Sequence, residues 1–417
     1  MKGKKIIIIA TLDTKGEEAQ YLQELVFAHG HIPTVIDSGV FCGHSFTGDI
    51  SNETVANSIG LTIQEIQSSK DEGVAISLMI KGVAQVIQQL LEKNKVDGLI
   101  AIGGSMGTSL GLKVMKDIPL GIPKLMLSTV AFTPFITPDS VSIDQVMMQT
   151  ITDLRGINTI TKTVLKRAVG AICGMVEAQA NDEVKEKLVV GLTGLGGHKV
   201  VEKCKPLLSH QGYEPVIFHS VGTSACEKLV TEGFVDGLLD FSMFELVNLV
   251  CGGEVKGGEL KINAACDKGI PQVIVPGALD FFSWSGGIDT LPVKFRDRNN
   301  HIHNPLVVLI PTTEEEKIAV AHEMIERINR AFVPTVVLLP LRGFSRLDNI
   351  GMPFYNPDSG KKIYELFKQS LTNCNVEVIA LDAHINDNIF AETAVRLLVE
   401  RMGSLKQAVL NKQKRGS

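Results

Sequence analysis

The chain has 417 residues, 44% of them hydrophobic and 21% charged, which suits a folded protein of two or three domains. A net charge of −5 offers no basic stripe for nucleic acid. Seven scattered cysteines, odd in number and without CxxC spacing, argue against a disulfide framework and predict reduced thiols in a cytoplasmic protein.

The first nine residues, Met-Lys-Gly-Lys-Lys-Ile-Ile-Ile-Ile, have an apolar core too short for a signal peptide. They run straight into Thr11-Leu-Asp13-Thr14-Lys15 and read as a first strand over 6–10. A helix over 16–28, ended by Gly30, leads to a strand over 34–37. Residues 39–75 are polar and glycine-punctuated, which predicts a surface insertion with a short helix at 63–69. No stretch reaches the roughly 18 apolar residues of a membrane span.

The apolar run Leu99 to Ile102 stops at Gly103-Gly104-Ser105-Met106-Gly107-Thr108, and Leu110, Val114 and Met115 then recur at helical spacing. This is strand, glycine turn, helix. Glycines can take positive φ and let backbone N–H groups approach a ligand closely. A helix start adds unpaired N–H groups and a positive dipole end. Ser105, Thr108 and Ser109 add hydroxyls, so the loop predicts an anion site, most naturally for phosphate; a tight turn with no ligand is the alternative. The Walker pattern and the dinucleotide GxGxxG are both missing. A strand over 124–127 and a helix over 159–178 complete this half.

The second half repeats the first. Thr11, Leu25, Gly30, Pro33 and Ser38 match Thr193, Leu207, Gly212, Pro215 and Ser220 at one ungapped offset of 182. Val96-Asp97-Gly98-Leu99 recurs as Val235-Asp236-Gly237-Leu238, and Gly121-Ile122-Pro123 as Gly269-Ile270-Pro271. Two α/β domains of mainly parallel sheet follow, 1–182 and 183–417, with the boundary in the polar segment 179–187. Further strands are predicted at 272–275, 306–310, 335–339 and 376–381. Helices are predicted at 313–331, 360–371 and 387–402, before a solvated, frayed tail from Asn411.

Ligands of open parallel sheets bind beyond the carboxyl ends of the strands. That rule gathers Thr11, Asp13, Thr14 and Lys15 with Gly103, Gly104, Ser105, Gly107 and Thr108, and with Ser128 and Thr129 as the far wall. Asp13, Asp144 and Asp153 could hold hydrated Mg²⁺ beside phosphates, with capping and turn duty as the alternative. In the second half the rule selects Gly194 to Gly197, Ser220 to Ser224 and Asp280. His384 sits at a strand end suited to a general base, and Arg342 and Arg346 offer guanidiniums to an acid. His301 and His303 read as loop histidines more readily than as metal ligands, and Glu245 reads as a solvated helix residue.

Ala10-Thr-Leu-Asp13-Thr14-Lys15, Gly103 to Ser109, Gly121 to Lys124, Ser128 to Ala131, Gly156-Ile-Asn158, Gly277 to Asp280 and His384 to Asp387 occur in that order. Over residues 4–403 this resembles the bacterial and fungal family that also forms the N-terminal ATP-binding domain of the tomato mosaic virus resistance protein of plants. The resemblance implies two Rossmann-like domains with an interdomain cleft, ATP as ligand and association as a homodimer. In the plant relative a TIM-barrel domain resembling phosphoenolpyruvate-type hydrolases is fused behind this region, which would make such a protein a separate partner here. Relatives carry a Thr pair where this chain has His198-Lys199, which puts a hydroxyl contact to phosphate there in doubt. The alternative is an enzyme acting in the cleft on a small phosphorylated or acidic metabolite, with His384 or Asp280 moving a proton and Arg342 or Arg346 binding an acid.

Overall fold

The run Ile6 to Ile9 forms the core of β1 (Lys5–Ala10) and is buried on both faces, which is why it shows no polar alternation. The computed structural model describes residues 3–41, 46–69, 71–137, 140–178, 187–195, 199–222 and 224–415, with side chains to 403. The chain divides into two units, Met1–Glu183 and Val184–Ser417.

In the first unit α1 (Leu12–Ala28) connects β1 to β2 (Ile32–Asp37). The insertion then contributes α2 (Asn52–Asn57) and α3 (Ile63–Ser68), and α4 (Glu72–Glu92) leads into β3 (Gly98–Gly103). After α5 (Ser105–Lys116) come β4 (Lys124–Ser128), β5 (Gln145–Gln149) and α6 (Thr159–Glu177). The sheet runs β2-β1-β3-β4-β5, all parallel. Strand side chains alternate between faces. Ile6, Ile8, Ile100 and Leu125 pack under α1 and α6 with Leu22, Leu165 and Ile172. Ile7, Ile9, Leu99 and Ala101 pack on the other face with Met79, Val83, Leu110 and Met115 of α4 and α5. Among the described helices α4 alone is long and apolar enough on average to cross a membrane, although Lys81 interrupts it. Its apolar side lies in that core.

The second unit opens with β6 (Val189–Gly194), α7 (Lys199–His210), β7 (Glu214–His219), α8 (Ala225–Glu232) and β8 (Gly237–Asp240). It continues through α9 (Phe244–Cys251), α10 (Asn263–Lys268), β9 (Gln272–Ile274), β10 (Phe281–Ser285), α11 (Val293–Arg296), β11 (His301–Asn304) and β12 (Val307–Pro311). It closes with α12 (Glu314–Ile328), β13 (Thr335–Pro340), α13 (Ser359–Ser370), β14 (Val376–Leu381) and α14 (Asn388–Arg415). A parallel sheet runs β14-β13-β9-β8-β6-β7. The strand expected at 306–310 lies outside it, in an antiparallel sheet β10-β12-β11. An apolar run reads the same in either sheet, and its partners, Phe-Phe-Ser-Trp-Ser and His-Ile-His-Asn, carry too many polar residues to stand out. The last helix continues from 402 to Arg415, through the tail from Asn411 that was expected to fray.

The repeat is structural. Lys5 N donates to Asp97 Oδ2 and Val189 N to Asp236 Oδ2, each at 2.7 Å. The following glycines leave room for the helix that closes each unit. A Cβ on Gly98 would lie 2.4 Å from Val176 Cγ1, and one on Gly237 2.6 Å from Met402 Sδ. The ungapped offset is corrected, however. Val189 stands in the place of Lys5, 184 positions on, while Glu214 stands in the place of Ile32, 182 positions on. The connection is two residues shorter in the second unit, so Thr11 corresponds to Leu195 rather than to Thr193. The boundary expected at 179–187 lies outside the described residues save for Lys187.

Candidate functional site

In the first sheet the chain leaves β1 for β2 on one side and returns to β3 on the other. Ligands of such sheets bind at this reversal, beyond the carboxyl ends of β1 and β3. Both candidate loops are there. At the start of α5 no side chain caps the helix, and the first helical bond is Thr108 N to Gly104 O at 2.8 Å. The amides of Ser105, Met106 and Gly107 precede that bond, leaving donors aimed off the helix end.

The glycines work differently from expectation. None of Gly103, Gly104 and Gly107 has positive φ, and Gly104 lies at −76°. What they supply is closeness. A Cβ on Gly103 would sit 2.6 Å from Gly107 Cα, and one on Gly111, a turn further on, 2.7 Å from Met126 Sδ. The helix is therefore pressed against β3 and β4. Gly104 differs: a Cβ there would meet only Thr129 Oγ, at 3.8 Å. Its outer side is open.

Thr108 and Ser128 are also corrected as phosphate contacts. Both are fully buried and bonded to each other at 2.7 Å, and Ser128 Oγ accepts from Val130 N at 3.0 Å. They clamp α5 to β4. Ser105 is exposed and Thr129 half-buried, so on the α5 side these two remain candidates for a hydroxyl contact.

On the β1 side Asp37, at the end of β2, accepts from Leu12 N at 3.1 Å and Gly39 N at 2.8 Å. It caps the turn Thr11–Thr14, and a kink at Lys15 (φ −129°) separates this turn from the main helix. Thr11 and Thr14 hydroxyls are 3.1 Å apart, and Asp13 Oδ2 accepts from Phe41 N at 3.3 Å. Lys15 is buried, with Nζ donating to Thr14 O at 3.3 Å. These residues border a cavity of about 370 Å³. Thr11, Asp13, Thr14 and Ser38 form its floor, Met106 and Leu110 one wall. The insertion forms the other wall with Val40, Phe41, Gln67, Ser69, Asp71 and Glu72, joined by Ala75 and Ile76 of α4. Sequence reasoning read residues 39–75 as surface and missed this wall. The available signal was Phe41, an aromatic within a polar segment and 68% exposed; Met106, 45% exposed, faces the same cavity.

The proposed metal carboxylates do not gather. Asp144 accepts from Lys124 Nζ at 2.7 Å and Gly121 N at 3.1 Å, at the amino ends of β4 and β5, the opposite edge from the cavity. Burial pushes its carboxyl up, but Lys124 and the hydrogen bonds outweigh that and hold it below the usual range. Asp153 is exposed and pairs with Arg155 at 2.8 Å. Among the described residues no group of three His, Cys, Asp or Glu could hold a metal.

In the second unit Asp280 and His384 both meet Ser345: Ser345 Oγ donates to Asp280 Oδ2 at 2.7 Å, and His384 Nε2 lies 2.9 Å from Ser345 O. His384 Nδ1 accepts from Asn386 N at 3.1 Å, so both ring nitrogens are engaged. Burial, with Asp348 adding repulsion, pushes the Asp280 carboxyl up to about 7. Arg342 forms a two-pronged exposed pair with Asp382, and Arg346 is exposed. His301 packs edge-on to Phe354, with ring centroids 6.3 Å apart, on the edge strand β11. Gly196, Gly197, His198 and Thr223 lie outside the described residues.

Sequence reasoning also missed the charge cluster at the β6–β8 reversal. Lys261 Nζ lies 3.1 Å from Asp240, 3.3 Å from Glu227 and 3.6 Å from Glu245, all buried. Thr193 Oγ donates to Asp240. Glu245, expected at a solvated surface, is only 4% exposed. Burial raises the Asp240 and Glu245 carboxyls, while Lys261 opposes the rise.

Two open parallel α/β sheets with one repeated topology, the first with an uncapped helix start beside a cavity at its reversal point, define a protein of two Rossmann-like domains. The chain belongs to the uncharacterised protein family UPF0261, whose N-terminal domain matches residues 4–181 and whose C-terminal domain matches 187–402. It is 35% identical to a UPF0261 protein of Clostridium tetani, covering 96% of this chain and 99% of that one. A UPF0261 protein of Brucella suis is 33% identical over 94% of each. The tomato ToMV resistance protein Tm-1(GCR237) is 34% identical across 79% of this chain and 44% of its own length.

Proposed function

We propose that the first unit binds ATP, with its phosphates on the amides of Ser105, Met106 and Gly107 and its nucleoside part in the adjoining cavity. The observation that carries this reading is the uncapped start of α5, open at Gly104, beside a cavity at the β1–β3 reversal. About 370 Å³ suits a ligand of nucleotide class. Val40, Ala75, Ile76 and Leu110 offer apolar surface to a base, and Asp71 and Glu72 offer acceptors to ribose hydroxyls. Among the described residues Asp13, Asp71 and Glu72 line the cavity and no basic side chain does. Phosphates entering it therefore need their own counter-charge, so ATP binds as its Mg²⁺ complex with Asp13 on the metal's side.

Binding rather than turnover is the favoured role, because His384 has both ring nitrogens engaged and Arg342 is paired. Association as a homodimer and pairing with a separate TIM-barrel protein belong to the same proposal, and sedimentation and co-purification test them. The tomato relative is matched over 44% of its own length, so more than half of it lies outside the shared region. The direct test is a thermal melt with millimolar Mg-ATP, ADP, NAD and sugar phosphates. Mg-ATP should raise Tm, and more than ATP with a chelator; no shift with any nucleotide would overturn the proposal.

A further inference from the structure

The loop after β13 is anchored by two buried polar side chains. Ser345 Oγ accepts from Leu347 N at 3.0 Å and donates to Asp280 Oδ2 at 2.7 Å. Asp348 accepts from Phe344 N at 3.0 Å with one oxygen and from Asn356 N at 2.9 Å with the other. His384, from the loop after β14, holds the Ser345 carbonyl through Nε2. Its Nδ1 accepts from Asn386 N, so the hydrogen facing the Ser345 carbonyl is the one on Nε2. Packing leaves no slack, for Gly343 lies at φ +131° and a Cβ on it would stand 1.9 Å from Asp348 O.

Asp280 itself is poorly satisfied. It is 1% exposed, and its Oδ1 has no hydrogen-bond partner. The titratable and charged groups around it are Asp348 from the same loop, Lys317 from α12 and His384. Lys317 is buried nearby and attracts both carboxylates, but forms no ion pair with either among the described residues. Two buried carboxyl groups thus lie close enough to repel each other, and among the described residues neither is bonded to a cation. Charge on both would leave a buried carboxylate oxygen unpaired, which is costly. A proton on Asp280 removes that charge; the Ser345 hydrogen bond favours the charged form, but burial and Asp348 outweigh it.

We propose that one proton held in the Asp280–Asp348 pocket is a latch. With the proton in place the 343–348 loop stays clamped to the segment after β9; when the proton leaves to solvent, the loop loosens and opens the carboxyl edge of the second sheet between β9 and β13. The direction follows from linkage. The Asp280 carboxyl is raised from 3.8 to about 7 in the closed state. The extra stability is therefore complete at acid pH, declines as pH rises, and is spent above about 7.

Amide hydrogen exchange of residues 343–348, corrected for intrinsic rates and referenced to β13 amides, tests the latch on the full chain. Between pH 5 and 7 the opening equilibrium should rise by up to about tenfold per pH unit, then level off. Asp280→Asn should remove that slope. Ser345→Ala, which cuts the tie and keeps both carboxyls, should leave the loop poorly protected at every pH. Wild-type protection independent of pH, or a wild-type slope retained in Asp280→Asn, overturns the proposal. Should Asp280→Asn not fold, the wild-type slope and Ser345→Ala decide alone.

Discussion

Gly103 and Gly104 are neighbours with separate duties. Gly103 lets α5 touch β3, so Gly103→Ala forces its Cβ to within 2.6 Å of Gly107 Cα and should destabilise the first unit by about 1–3 kcal/mol, read as a lower denaturant midpoint. A Cβ on Gly104 would meet only Thr129 Oγ at 3.8 Å, an ordinary contact, so Gly104→Val should fold normally and lose nucleotide binding. Lys261 presents the opposite case, a single buried ammonium against three carboxylates. Lys261→Met keeps the volume and strands the negative charge, which should cost about 3–5 kcal/mol in urea unfolding at pH 8. The deficit should shrink at pH 5, since the raised Asp240 and Glu245 carboxyls then take up protons.

A device recurs at the amino ends of the strands in both units, an aspartate bonded to the first amide of β1 and of β6. Asp97→Ala and Asp236→Ala should each cost about 1.5–3 kcal/mol, and each should lower the melting of its own unit. The repeat that carries this device was legible, because Asp-Gly recurs before an apolar run with Gly-Ile-Pro behind it; the bond from aspartate to strand amide was not. The same regularity misled at one point, since identities at Thr11 and Thr193 concealed a two-residue deletion that only strand register exposes. The strand, glycine turn and helix of residues 98–116 were likewise readable from period and breakers. Which hydroxyls reach solvent was not. Thr108 and Ser128 carry the right chemistry, but a 2.7 Å bond between residues twenty positions apart turns them inward, and no local pattern encodes that. The cavity wall from residues 40–76 was hidden for a related reason: polar composition marks a segment as solvent-facing even when it folds over a site.

At the scale of the molecule, one topology is built twice and used differently. The first sheet's reversal point is an opening lined by free amides and a cavity; the second's is filled by Lys261 and its carboxylates, with Phe241 to Leu246 where the first unit has its glycine loop. One nucleotide site per chain, in the first unit, is therefore expected. Isothermal titration of Mg-ATP into the wild-type protein and Gly104→Val tests this most directly. Saturable binding of one ATP per chain by the wild type, and none by a Gly104→Val protein that melts normally, is the predicted result. Equal affinity in the two proteins would contradict it.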